Sequence, residues 1–446
     1  MSGIPKSRHY AHVDGELLCD GVSLTEIAEE FGTPTYVYSG ASIDRAYAAI
    51  DEALSFAPHL IAYAVKANSN LAVLARLRDL GAGADIVSGG ELARCLEVGI
   101  GGDRIVFSGV GKRDEEIEAA LRASIRSIHV ESAQEIEAIE AIAERLGVEA
   151  PISLRINPDV DPKTHPYIAT GLHHTKFGLE IGVAEELLPR ILRSKRLVLE
   201  GVTCHIGSQI GDVSSLREAV GVTASLAKRC RDAGAPIRTL DAGGGWPIPY
   251  GDESDEFPEA QTFGDAIRDG LADGRADDMG LEIIVEPGRA LVGESGTLLS
   301  RVIFVKDQPY RPDAVAGASH ESQESGDKRF VIVDASMSEL IRPALYDAHH
   351  GISPVETPPP QAARSLADVV GPVCESGDWL AKDRLLPPLE RGDLIAIMSA
   401  GAYGMVMASN YNSRPRPAEV LIDNGEYRAI RERETFAELM RSEERG

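Results

Sequence analysis

The stretch HLIAYAVKANSNLAVLARLRDLGAGADIVSGGEL (His59–Leu92) reads as strand, helix, strand, with a new helix beginning at its end. His59–Lys66 is an apolar run, Leu71–Leu80 repeats its leucines at helical spacing, and Ala84–Val87 is a short apolar run after glycines. A helix between two such strands makes a right-handed βαβ unit with parallel strands. The same rhythm continues outward. Strands are predicted at Arg104–Phe107, Ser127–Val130, Ile152–Ile156, Gly201–His205, Thr239–Ala242 and Leu281–Glu286. Between them lie helical patterns such as Glu91–Val98, Asp114–Ala123, Ala133–Leu146, Ala184–Leu192 and Ser214–Ala233. About eight such units in roughly 250 residues match a (β/α)8 TIM barrel, with an open doubly wound sheet as the alternative.

After Arg289 the texture changes. Gly296–Val305, Arg329–Val333, Ser365–Val370, Asp393–Met398 and Glu419–Ile422 are β-rich runs without long helices between them. They predict a second, mostly antiparallel β domain. The expected division is a barrel over 37–295 and a β domain from 1–36 plus 296–446, with Tyr36–Tyr38 as a strand lent to the latter. Pro309–Lys328 is polar and Ser/Gly-rich, and it reads as a long surface loop.

The 446 residues are 43% hydrophobic but only 5% aromatic, so the core must be aliphatic. A net charge of −25 repels phosphate backbones and anionic lipid, which argues against nucleic-acid and membrane-surface partners. No run approaches the length of a membrane span, and no leader-like apolar segment opens the chain. Five scattered cysteines without a Cys-x-x-Cys pair suggest neither a disulfide framework nor a zinc site. A soluble cytoplasmic protein with reduced thiols and no metal is expected.

In a barrel the C-terminal strand ends share one face, and the unusual residues fall there. Lys66 closes the first strand, Asp85 and Ser88 lie in or after the second, and His205 closes the sixth. Gly243, Gly244 and Gly245 follow the seventh, and Glu286, Gly288 and Arg289 end and follow the eighth. Lys66 reads either as a solvated edge lysine or as an amine desolvated for Schiff-base chemistry. The glycines, with Gly288, Arg289 and Ser208, favour a phosphate-bearing cofactor at the loops after strands seven and eight. Glu286, ending an apolar strand, needs a cationic or hydrogen-bond-donating partner, with Arg289 and a protonated pyridine nitrogen as the candidates. His205 is either a core histidine or a surface on which a ring stacks. Arg342, Tyr346, Cys374, Glu375 and Tyr403 form a second cluster, with Cys374 in a polar turn that suits a reactive thiol.

Together these residues make the chain resemble the meso-diaminopimelate decarboxylases. These are pyridoxal-phosphate enzymes grouped with ornithine and arginine decarboxylases and, in fold, with alanine racemase. The likeness runs in order through YAVKAN, ADIVSGGEL, HTKFGL (His174–Leu179), HIGSQI, DAGGG, EPGR, IRPALY, CESGD, GAYG and SNYNSRPRPAEV (Ser409–Val420). It implies decarboxylation of meso-2,6-diaminopimelate to lysine, with Lys66 as the Schiff-base lysine. By the same likeness His205 stacks on the ring, Glu286 meets the ring nitrogen, and Ser208, Gly245, Gly288 and Arg289 hold the phosphate near Tyr403. Arg289, Arg342 and Tyr346 would grip the distal end of the amino-acid substrate, Glu375 its ammonium, and Cys374 would donate the proton. A homodimer sharing its active sites through Cys374 and Glu375 is implied as well. The alternatives are another basic amino-acid or carboxynorspermidine decarboxylase, a racemase, or a non-catalytic regulator. Three departures stand out: Ser336, where the family pattern leads one to expect glycine; the Pro309–Lys328 loop, longer than usual; and Trp246 with Pro247 beside the glycine loop, a place where they can alter the entrance but not the chemistry.

Overall fold

The computed structural model describes residues 9–161, 176–251, 257–310 and 326–444. Eight parallel strands close into a barrel: His59–Ala64, Gly83–Ile86, Ile105–Phe107, Ser127–Val130, Ala150–Ile156, Leu197–Cys204, Thr239–Asp241 and Glu282–Val285. The last pairs with the first, Ile283 opposite His59, which excludes the open sheet. Their residues are almost all buried, as expected of strands covered on both faces. Helices follow the strands with the caps their sequences supply: Asn70 for Leu71–Asp79, Ser88 for Gly89–Glu97 and Ser132 for Ala133–Leu146. Ala260–Asp273, a helix the sequence reading passed over, lies between strands seven and eight.

The chain divides into two compact units, Ile43–Ile248 with Glu256–Val292, and Met1–Ser42 with Pro249–Asp255 and Gly293–Gly446. The first boundary falls later than residue 37 because Thr35–Ser39 pairs with Gly296–Tyr310 on one side and Ala418–Asp423 on the other. In this second unit most neighbours are antiparallel, but Thr35–Ser39 with Ala418–Asp423 and Gly326–Val333 with Ser365–Val370 run parallel. Side-chain alternation divides its core between two faces. Tyr36, Tyr38, Leu298, Ile395 and Leu421 pack on one, and Val37, Leu299, Ala396 and Val420 on the other. Tyr310 pairs with Gly326, so the two strands run further into the Pro309–Lys328 segment than expected, and the rest of that segment lies outside the described residues. Among the described residues no helix is long and apolar enough to cross a membrane.

Candidate active site

The first barrel strand stops at Ala64, and a single turn of 3-10 helix, Val65–Ala67, carries Lys66. The turn replaces the strand end expected at Lys66. Lys66 Nζ donates to Asp85 Oδ2 at 2.8 Å. That carboxylate is fully buried while the lysine side chain is 39% exposed, so a fixed anion holds an accessible amine. The EPGR loop lies directly against this turn. A Cβ on Gly288 would stand 3.0 Å from the Ala67 Cβ and 3.1 Å from the Ala64 Cβ, and Ala64 N–H donates to the Pro287 carbonyl.

The loops after strands six, seven and eight converge. Arg289 donates to Ser208 Oγ through Nε at 3.3 Å and Nη2 at 3.1 Å. Gly244 N–H donates to His205 Nδ1 at 3.1 Å, and Ile210 N–H to the Gly245 carbonyl. Gly245 has φ +103°, and a Cβ there would meet Ile210 Cδ1 at 2.4 Å, so only glycine fits. Burial, with Arg155 and Lys66 nearby, holds His205 well below the ordinary histidine value, which leaves its ring neutral and flat-faced at neutral pH.

Glu286 takes its hydrogen bond from Ser108 Oγ at 3.2 Å, and His129 Nδ1 lies 3.4 Å from the same oxygen. The partner considered for it in the sequence, Arg289, turns to Ser208 instead. Burial and the neighbouring Asp241 and Asp85 charges push the Glu286 carboxyl well above the usual range. Burial likewise pushes Asp241 up to about 7. His129, Asp241 and Glu286 are all buried, each with a polar side-chain atom within 4.8 Å of the others.

The second unit carries the other predicted residues. Arg342 is buried, with Nη1 2.9 Å from His350 Nε2 and its guanidinium 4.5 Å over the Tyr250 ring. His350 Nδ1 is 2.8 Å from the Met398 carbonyl, so it donates there and Nε2 accepts from Arg342. Tyr346 ends the helical turn Arg342–Tyr346 and is half-buried. Cys374 is the exposed thiol of the five; Cys19, Cys95, Cys204 and Cys230 are buried. Its N–H donates to Asn412 Oδ1 at 3.3 Å, and the Tyr411 hydroxyl donates to Glu375. Tyr403 is half-buried with left-handed backbone at φ 57°.

Sequence reasoning missed His129, Ser108 and Asp241 beside Glu286, and His350, Tyr250, Tyr411 and Asn412 in the second unit. The available signal was polarity inside apolar strands (SIHV, TLDA). Ser88 serves as a helix cap, its oxygen accepting Glu91 N–H at 3.2 Å. Trp246 does not shape an entrance: it is buried and stacked on Phe263 at 4.7 Å. Ser336 builds its turn with its side chain, donating to Glu339 Oε2 at 2.6 Å and accepting Ser338 N–H, without a positive φ. Of HTKFGL, His174 and Thr175 lie outside the described residues. Gly178 N–H donates to Glu131, and Phe177 lies 5.0 Å beneath Arg155.

Residues 40–293 match the family model described as the pyridoxal-dependent decarboxylase, pyridoxal binding domain. The diaminopimelate decarboxylase of Pseudomonas fluorescens is 48% identical over 430 residues, spanning 96% of this chain and 97% of that protein. That of Aquifex aeolicus is 46% identical over 423 residues, 95% and 94% respectively. Among solved structures, diaminopimelate decarboxylase from Helicobacter pylori complexed with L-lysine superposes with TM-score 0.85 at 42% identity, covering 94% of this chain and 98% of that one. The enzyme from M. jannaschii in co-complex with L-lysine gives 0.89 at 36%, covering 100% and 99%.

Proposed function

The chain belongs to the diaminopimelate decarboxylases within the pyridoxal-dependent decarboxylase family, and we infer from that membership that it releases CO2 from meso-2,6-diaminopimelate to give L-lysine. The observation that carries this reading is the meeting of the Lys66 turn with the EPGR loop, beside the glycine loop. The residues present fit pyridoxal 5′-phosphate: a primary amine, a glycine cradle flanked by Ser208 and Arg289, and a buried carboxylate suited to a cation. Once bound, that cofactor supplies an electron sink for the pair left behind by the departing carboxyl carbon.

In this reading the protein's residues divide the work. Lys66 Nζ, held by Asp85, would be the amine that anchors the cofactor through its aldehyde. Glu286 would hold the ring nitrogen, His205 would lend its neutral face to the ring, and Gly244, Gly245, Ser208, Gly288 and Arg289 would hold the phosphate. Arg342, oriented by His350 and Tyr250, grips the distal carboxylate together with Tyr346. That carboxylate is absent from lysine and ornithine, so either compound would forgo the charge-assisted contact to the guanidinium. Cys374 protonates the substrate carbon, and Glu375 reads the distal ammonium. The exposure of Cys374, and of Glu375 with its Tyr411 partner, supports their delivery to a partner subunit's site in a homodimer. Five unpaired thiols support a reducing, cytoplasmic setting.

Incubation with meso-diaminopimelate is expected to yield lysine and CO2 in equal amounts, read by chromatography. Product from ornithine or arginine but not from meso-diaminopimelate would overturn the substrate. The purified protein is expected to absorb in the visible, and Lys66→Ala to lose that band.

A further inference from the structure

Beside the carboxylate read as facing the ring nitrogen lie Asp241, His129 and Ser108, buried groups to which the reaction above gives no task. Their hydrogens can be placed by accounting. Ser108 has one O–H, and it donates to Glu286 Oε1 at 3.2 Å. With its O–H given to Glu286, the Ser108 oxygen, 3.1 Å from His129 Nδ1, can only accept there, so that nitrogen is the donor and Nε2 carries the lone pair. Nε2 faces Asp241 Oδ2 at 3.7 Å, and neither atom has a hydrogen-bond partner among the described residues. The other Asp241 oxygen accepts Gly243 N–H at 2.8 Å, at the head of the phosphate loop. In a dry site a lone pair set against an anionic oxygen repels. A proton on Oδ2 turns the same pair into an attraction.

We propose that in the cofactor-loaded protein Asp241 is a neutral acid whose Oδ2 proton is directed to His129 Nε2, so that Asp241 and His129 are positioning residues that leave Glu286 as the anion facing the ring nitrogen. This rests on the reading of Glu286 given above. The charged groups around the set are Lys66, Lys112, Arg155 and Asp85. Burial together with the three cations keeps His129 well below its ordinary value, hence neutral. Two buried carboxyls side by side cannot both ionise cheaply, and the hydrogen-bond directions choose which one keeps the proton. The arrangement also ties the ring-nitrogen contact to the phosphate loop, because Asp241 touches both neighbours.

The test is infrared difference spectroscopy of the cofactor-loaded protein at pH 6, where exposed carboxyls are ionised and a carboxyl held near 7 keeps its proton. A protonated-carboxyl stretch is expected in the wild type. It should vanish in Asp241→Asn and move to higher frequency in His129→Leu, where the acceptor is gone, with return toward the wild-type position in His129→Asn. Asp241→Asn can still accept from Gly243 and donate to His129, so its cofactor affinity should stay within about threefold of wild type. Glu286→Gln should weaken cofactor binding by about tenfold or more. A stretch absent from the wild type, or one that survives Asp241→Asn and disappears only in Glu286→Gln, overturns the proposal. Should Glu286→Gln leave affinity and visible band unchanged, the ring-nitrogen reading itself fails, which is a different outcome. If His129→Leu does not fold, the isosteric Asp241→Asn decides the matter.

Discussion

Asp241 carries a charge problem that can be measured without cofactor. Its carboxyl is held at about 7 by burial, against about 4 in an unfolded chain. Below both values the acid is protonated in either state and costs nothing. As pH rises from about 4 toward 7 the unfolded chain ionises first, so folding loses stability over that window. Asp241→Asn removes this penalty. The apoprotein variant is therefore expected to melt several degrees higher than wild type at pH 8 but at nearly the same temperature at pH 4, by scanning calorimetry. An equal shift at both pH values would mean the effect is packing. Cys374 is an exposed thiol whose backbone N–H is held by Asn412. If it donates the proton, Cys374→Ala should bind substrate with little change and lose about a hundredfold or more in kcat; unchanged turnover would exclude it.

At the scale of elements, the site depends on close backbone approach more than on side-chain reach. The loop after strand seven passes so near its neighbours that a Cβ on Gly245 would lie 2.4 Å from Ile210 Cδ1 and 2.8 Å from the Gly207 carbonyl, at φ +103°. Gly245→Ala is expected to cost about 1–3 kcal/mol in urea unfolding and to weaken cofactor retention. Wild-type affinity in a stable variant would show that the loop can give way. The 3-10 turn Val65–Ala67 serves the same economy: it ends the strand two residues early and brings Lys66 to Asp85. Strand patterning cannot reveal such a turn, because a buried valine before the lysine continues the apolar run.

Across the whole molecule, the division of labour between a barrel unit and a β unit sets the last prediction. Lys66 belongs to one unit and Cys374 to the other. If sites are shared between subunits, the inactive variants Lys66→Ala and Cys374→Ala should recover partial activity when their subunits are exchanged, up to about a quarter of wild type for random pairing. No recovery after verified exchange would place both residues of a site in one chain.

Much of this was legible in the amino-acid order itself. Apolar runs separated by helical repeats determined a parallel sheet covered by helices, since only parallel strands with crossover helices bury both sheet faces; closure into a barrel was decided by the pairing of the last strand with the first. Glycines and charged residues at strand ends determined which rim bears the chemistry. Contacts between distant side chains were another matter. That Arg289 turns to Ser208, that Trp246 packs on Phe263, and that His129 stands between Asp241 and Glu286 depend on barrel closure and on which neighbours each buried polar atom finds. Local sequence encodes the period of a strand; the partner of a buried charge is chosen only when the strands are brought together and water is excluded.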